Sequence, residues 1–164
     1  MCAVILIVNM PLFGQAKIEM QIGGANFYGA TINSEYDIPL SKNREMYVSP
    51  SLGIGILLPS WDGPTTIMHV GLDYTIKKIS IGCELSRFMP SFFGQRDSPS
   101  SDVDLIVYPN VSYTYTTKSN VYFNFSGGVY IAYNARYDNI TGLTELEFQG
   151  DVIPGVGIST GYKF

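Results

Sequence analysis

Residues 121–133 read VYFNFSGGVYIAY. Val121, Phe123, Phe125, Val129, Ile131 and Tyr133 fall on one side of an extended chain, and Tyr122, Asn124, Ser126, Gly128 and Tyr130 on the other. A period of two is that of a β-strand, whose successive side chains point to opposite faces. The last ten residues, GVGISTGYKF, repeat the pattern: Val156, Ile158, Thr160, Tyr162 and Phe164 alternate with Gly155, Gly157, Ser159, Gly161 and Lys163. The second face of this stretch is too small to form a core and too poor in charge to be an ordinary wet surface.

Working outward from these two stretches, the same alternation recurs over 18–23, 29–38, 46–57, 66–76, 79–88 and 105–115, with the last run starting near Val152. No amphipathic helix interrupts the eight runs. Their connections fall into two sets. GANFYG, PSWDGPT, MPSFFGQRDSPSSDVD and NARYDNITGLTELEFQGD alternate with PLSKNRE, KK and TTKSN, and the longest all lie in the first set. Long loops at one end and short turns at the other, on an even number of strands, predict an eight-stranded antiparallel up-and-down transmembrane β-barrel over 17–164. Apart from the shorter first run, strands of 10–13 residues suit the roughly 9–11 that cross hydrocarbon at a tilt. Tyr36, Tyr74, Tyr113, Tyr115, Tyr162 and Phe164 end their runs at the short-turn side and predict an aromatic girdle there. Bases (Lys17, Lys42, Arg44, Lys77, Lys78, Lys118, Lys163) gather at the same end, and acids (Asp62, Asp97, Asp102, Asp104, Asp138, Glu145, Glu147, Asp151) at the other.

Alternation alone does not say which face points inward, because a soluble lipocalin-like barrel alternates with the opposite sense. Residue size decides. Charged residues are 15% of the chain, against about 25% in soluble domains, and there are 17 glycines. Small polar residues pack the narrow interior of an eight-stranded barrel, which side chains just fill, and leave the apolar face for lipid. Pro50, Pro109 and Pro154 lie within runs; since proline cannot donate to a ladder, each predicts a bulge or a place near an interface.

The net charge of -4 provides no basic footprint for nucleic acid. Cys2 and Cys83 imply neither a disulfide framework nor zinc spacing, and no cofactor or metal site is expected. Residues 1–16 contain an apolar run too short for a transmembrane helix, with Gly14-Gln15-Ala16 as a small-residue cleavage region; without a basic start, they read as a truncated secretory signal.

IEMQIGGANFYGATINSEYDI, SPSLGIGILLP, HVGLDYTIKKISIGCELS, YPNVSYTYTTKSNVYFNFSGGV and the closing PGVGISTGYKF together resemble small outer-membrane β-barrel proteins of the kind common in Bacteroidetes-type bacteria. The resemblance implies a barrel in the outer membrane with periplasmic termini, and a C-terminal Phe164 read by the barrel-assembly machinery. It implies no reaction.

By parity, Glu19, Glu35, Asp37, His69, Asp73 and Glu84 face the lumen, with Lys163 as a counter-charge. They are expected to form a hydrated, hydrogen-bonded plug near the periplasmic mouth, with a narrow conduit for small solutes or apolar ligands as the alternative. His69 and Asp73 on one strand, with Ser80 and Glu84 on the next, contain the residue types of a hydrolytic triad, but no serine sits in a nucleophile motif. Trp61 and the Ser91–Phe93 segment read as interface anchors, and the acidic loops as solvated. The expectation is a monomer in outer-membrane lipid with a structural or surface-interaction role and no enzymatic activity.

Overall fold

The computed structural model describes residues 14–41, 43, 45–60, 63–90, 104–137 and 144–164. Eight strands run in chain order: β1 (Gln15–Gly23), β2 (Gly29–Pro39), β3 (Met46–Ser60), β4 (Gly63–Ile76), β5 (Ile79–Pro90), β6 (Leu105–Thr116), β7 (Val121–Tyr137) and β8 (Thr144–Lys163). Each pairs antiparallel with the next, and β8 returns to β1, closing the barrel. The Phe164 amide completes the seam by donating to the Ala16 carbonyl at 2.9 Å. Two boundaries differ from the sequence reading. Gln15 and Ala16, assigned to the leading segment, pair with Asp37 and Tyr36 inside β1–β2. β8 begins at Thr144, eight residues before Val152, because the acidic stretch read as loop extends the hairpin with β7. Residues 1–13 lie outside the described residues, as do Trp61, Asp62, Ser91–Phe93, Asp97, Asp102 and Asp138.

The direction of the faces follows from β8. Val156 is 75% exposed, whereas its neighbour Gly157 is buried toward the lumen. The same sense holds round the barrel: Ile18 and Met20 on β1, Ile32 on β2, Leu52 and Ile54 on β3, Ile81 on β5, Val111 on β6 and Phe125 on β7 all face out. This overturns a lipocalin-like arrangement, which would put Phe123 and Phe125 inside. On β4, Met68, Val70, Leu72, Tyr74 and Ile76 are all exposed. At about 3.4 Å per residue and a tilt near 40°, that span is roughly 20 Å tall, close to the ~25 Å apolar band of membrane barrels.

None of the three prolines sits at a bulge. Pro50 keeps its pairing with Leu72, and β2–β3 resumes on the same register after Tyr36 and Asp37 drop out of the ladder. Pro109 keeps Cys83 while β6–β7 skips two pairs without shifting. Pro154 pairs with Val129 and lies beyond Gly157, where β1 has ended. In each case the missing N–H is absorbed by a local gap in one ladder or by the end of the neighbouring strand. The register shifts fall elsewhere, between Leu57 and Ser60 and between Ile131 and Tyr133.

One connection departs from the expected four outer loops. Between β1 and β2 the chain turns into the barrel as a single 3₁₀ turn, Gly24–Asn26, in which Ala25 and Asn26 are 0% exposed. Gly23 and Gly24 hold φ of 73° and 58°, which side-chain-bearing residues rarely adopt, and this reverses the chain inward. Phe27 also takes a positive φ of 56°. Its ring is fixed edge-on against Tyr28 and Tyr130 at 4.2 and 5.4 Å.

Candidate functional site

The lumen is built in three levels. At the short-turn end, Lys17 is 4% exposed and its Nζ lies 2.8 Å from Glu35 and 2.6 Å from Asp37. Ser49 donates to Asp37 at 2.6 Å. The Lys17 ammonium also lies 5.3 Å from the Tyr47 ring centre and 5.5 Å from that of Tyr122, whose other neighbour is Lys163 at 5.3 Å. The sequence reading makes Lys163 the lumenal counter-charge. The ion pairs to Glu35 and Asp37 are instead made by Lys17, which a first strand starting at Ile18 leaves one residue short of the sheet.

The middle level is a connected network of hydrogen bonds. Glu19 accepts from Asn33 (3.0 Å), Tyr122 (3.0 Å) and Ser159 (2.8 Å). Asn33 also donates to Gln21, which donates to Glu84 at 2.7 Å. Glu84 further accepts from Asn110 at 3.0 Å and from the Ala25 backbone of the inward turn. A carboxylate removed from water is tolerated when several donors converge on it, and Glu19 and Glu84 each have such a set. Glycines make room for it: a Cβ at Gly53 would meet the Asn33 amide, at Gly82 the Asp73 carboxylate, and at Gly161 the Tyr122 ring.

The upper level changes character. Ala25, Ile67, Phe88, Ile106, Tyr108 and Tyr130 form a buried apolar cluster, joined by Phe27 and Leu57. Tyr108 and Tyr130 stack at 5.2 Å, and the Tyr108 hydroxyl donates to the Gly155 carbonyl at 3.1 Å. The inward turn seals this level. Asn26 donates to Thr31 at 2.9 Å and accepts from Ser86 at 3.0 Å. Beneath it a cavity of about 30 Å³ remains, lined by Glu19, Gln21, His69, Asp73 and Glu84 among others. At about 10–15 Å³ per water, that is room for two or three water molecules.

Of the residues singled out from the sequence, Glu19, His69 and Glu84 are buried in this network, Glu35 pairs with Lys17, and Asp73 lines the cavity over Gly82. His69 does not meet Ser80, which bonds Thr75 at 2.7 Å; its partner is Ser86 at 3.1 Å. Ser86 donates to Asn26, which makes His69 Nδ1 the donor to Ser86. A serine nucleophile needs the reverse polarity, hydroxyl proton toward imidazole, together with access for substrate. Ser86 is 0% exposed. His69 Nε2 lies 3.9 Å from Glu84, beyond hydrogen-bond length. Among the described residues, no group of His, Cys, Asp and Glu is arranged to hold a metal ion.

The sequence reading sets Tyr122 and Tyr130 on the inner face without giving them a role, and it misses the Ser86 partnership. That partnership is within its reach. A two-residue Lys77–Lys78 turn sets Ile76 opposite Ile79, and counting back places His69 opposite Ser86, as the register has it. On the outside, Tyr36, Tyr74, Tyr115, Tyr162 and Phe164 are all exposed toward the short-turn end, with the Tyr162 and Phe164 rings edge-on at 5.1 Å.

No family model matches the chain, and no curated protein matches it. Among solved structures it is similar to the backbone structure of the Yersinia pestis outer membrane protein Ail in a phospholipid bilayer nanodisc, at 13% identity and a TM-score of 0.44, over 92% of this chain and 99% of that one. The fold assignment rests on the chain's own strand register.

Proposed function

We propose that the protein is a monomeric outer-membrane β-barrel, of the small Bacteroidetes-type kind its motifs resemble, with a structural or surface-interaction role and no enzymatic activity. The observation that carries this is the inversion of the sheet: apolar side chains cover the outside of every strand while charges and amides are buried and bonded within. In water the exposed belt would far exceed the apolar patch a soluble monomer tolerates. In lipid it is solvated, and the closed ladder leaves the spanning backbone satisfied. An aromatic girdle and short basic turns at the end where both termini lie support a periplasmic position for the termini, and the exposed Phe164 suits recognition by the assembly machinery. β7 and β8 rise past Gly157, the last β8 residue paired with β1, and among the described residues that upper edge of β8 has no neighbouring strand. Such an edge can take up an extended segment of a partner at the cell surface. The packed upper level, above a cavity with room for only a few waters, supports this reading over a conduit.

The test uses refolding into phosphatidylcholine vesicles and single cysteines at Phe125 and Ser126 in a Cys2→Ala/Cys83→Ala background. The folded protein should run heat-modifiably on a gel, with position 125 reacting only with a lipid-phase probe. A protein that stays monomeric in water without detergent would overturn the membrane reading. Planar bilayers should stay silent; reproducible single-channel steps would overturn the sealed lumen.

A further inference from the structure

Among the described residues, the outer surface carries a concave feature. At the short-turn end, Tyr74 and Ile76 of β4, Ile79 and Ile81 of β5 and Tyr113 of β6 enclose an open trough of about 540 Å³, a volume in the range of ligand clefts. Its walls are apolar, and its only charged lining is Lys77 and Lys78 at the turn. The register explains the shape. Ile79 stands between Ile76 and Tyr113, and Ile81 between Tyr74 and Val111, so the isoleucines make a floor with a tyrosine on each flank, set diagonally.

The turn that holds the two lysines is fixed on both sides. The Lys77 amide donates to the Glu45 carbonyl at 2.6 Å, and the Lys78 carbonyl accepts from the Thr114 amide at 2.8 Å. Lys77 adopts a φ of 60°, where asparagine or glycine is the usual choice in a tight hairpin turn. The chain therefore keeps a cation where backbone geometry favours another residue. Two exposed lysines on an anchored turn at the rim of an apolar trough match a ligand with a negative head and a hydrocarbon tail.

We propose that this trough binds one acyl chain of an anionic phospholipid of the periplasmic leaflet, with its phosphate held by Lys77 and Lys78. The proposal rests on the membrane reading above and adds a specific lipid to it. Near a membrane surface each lysine contributes about five-fold in affinity for anionic lipid, so the pair together contributes roughly twenty- to thirty-fold.

The experiment is native mass spectrometry of the full chain released from nanodiscs of equal dioleoyl phosphatidylglycerol and dioleoyl phosphatidylcholine. One phosphatidylglycerol should stay bound at collision energies that strip phosphatidylcholine. The K77Q/K78Q variant should lose that preference by roughly twenty-fold, whereas K118Q, at a different turn, should keep it. Ile81→Trp, which fills the trough and leaves both charges, should also lose it. Equal retention of the two lipids by the wild type would overturn the proposal, as would an unchanged preference in K77Q/K78Q. Failure of the membrane reading is distinguishable, since a chain outside the bilayer would not enter the nanodiscs as a heat-modifiable species.

Discussion

On the outside of β8, Val156, Ile158 and Tyr162 are exposed, and one apolar residue would serve nearly as well as another. On the inside of the same strand no two positions are interchangeable. Gly157 leaves space for Gly24, Ser159 bonds Glu19, and Gly161 opens the room that the Tyr122 ring fills. The two faces are made by one alternation and obey different rules. The outer face must only be apolar, because lipid is a forgiving solvent. The inner face must be particular, because every buried polar group needs its partner.

Substitutions on the two faces can break that contrast. The largest loss should come from Glu84→Ala, which strands Gln21, Asn110 and the Ala25 amide. At ~1–3 kcal/mol per orphaned donor it should cost about 4 kcal/mol, read as a lowered urea midpoint in vesicles. Leu72→Arg at mid-height of the outer belt should cost about 3 kcal/mol in the same titration, whereas Ile76→Arg near the interface should cost under about 1 kcal/mol. A flat depth profile would mean that the belt does not sit in hydrocarbon. Gly161→Ala pushes a methyl into the Tyr122 ring and should cost about 2 kcal/mol through overpacking, seen as lost near-ultraviolet tyrosine dichroism. Leu72→Ile should change stability by less than about 1 kcal/mol. An outer swap as costly as the glycine change would erase the distinction between the faces.

This contrast also explains what can be read in advance. The strands from Ile18 to Tyr133 are legible because a period of two survives any apolar substitution outside and any small polar one inside. The sense of the faces follows from residue size, since glycine and serine opposite isoleucine suit a narrow lumen better than a wet exterior. The start of β8 is hidden because TELEFQGD sets acids where the belt has ended and alternation no longer reports a solvent difference. Lys17 escapes because the apolar alternation of β1 begins one residue after it, at Ile18. The inward turn is illegible for a deeper reason. GANFYG has the composition of a surface link, and its burial depends on Glu84 and Gly157, which lie far along the chain. The lumenal carboxylates are found by parity alone, but parity does not name their partners, and it is the partners that separate a bonded interior from a catalytic one.

The inward turn also bears on the order in which the molecule can be built. Gly24 packs against Glu84, Tyr108 and Gly157, residues of β5, β6 and β8. Contacts so distant in sequence cannot form while the sheet is an open ribbon, and the chain entropy of bringing them together is met only once the ends join. The N-terminal hairpin therefore takes its final shape only when the barrel closes. Seating of the turn reports closure of the seam, so a label on Ala25 or Asn26 that senses burial would mark the moment when eight paired strands become a barrel.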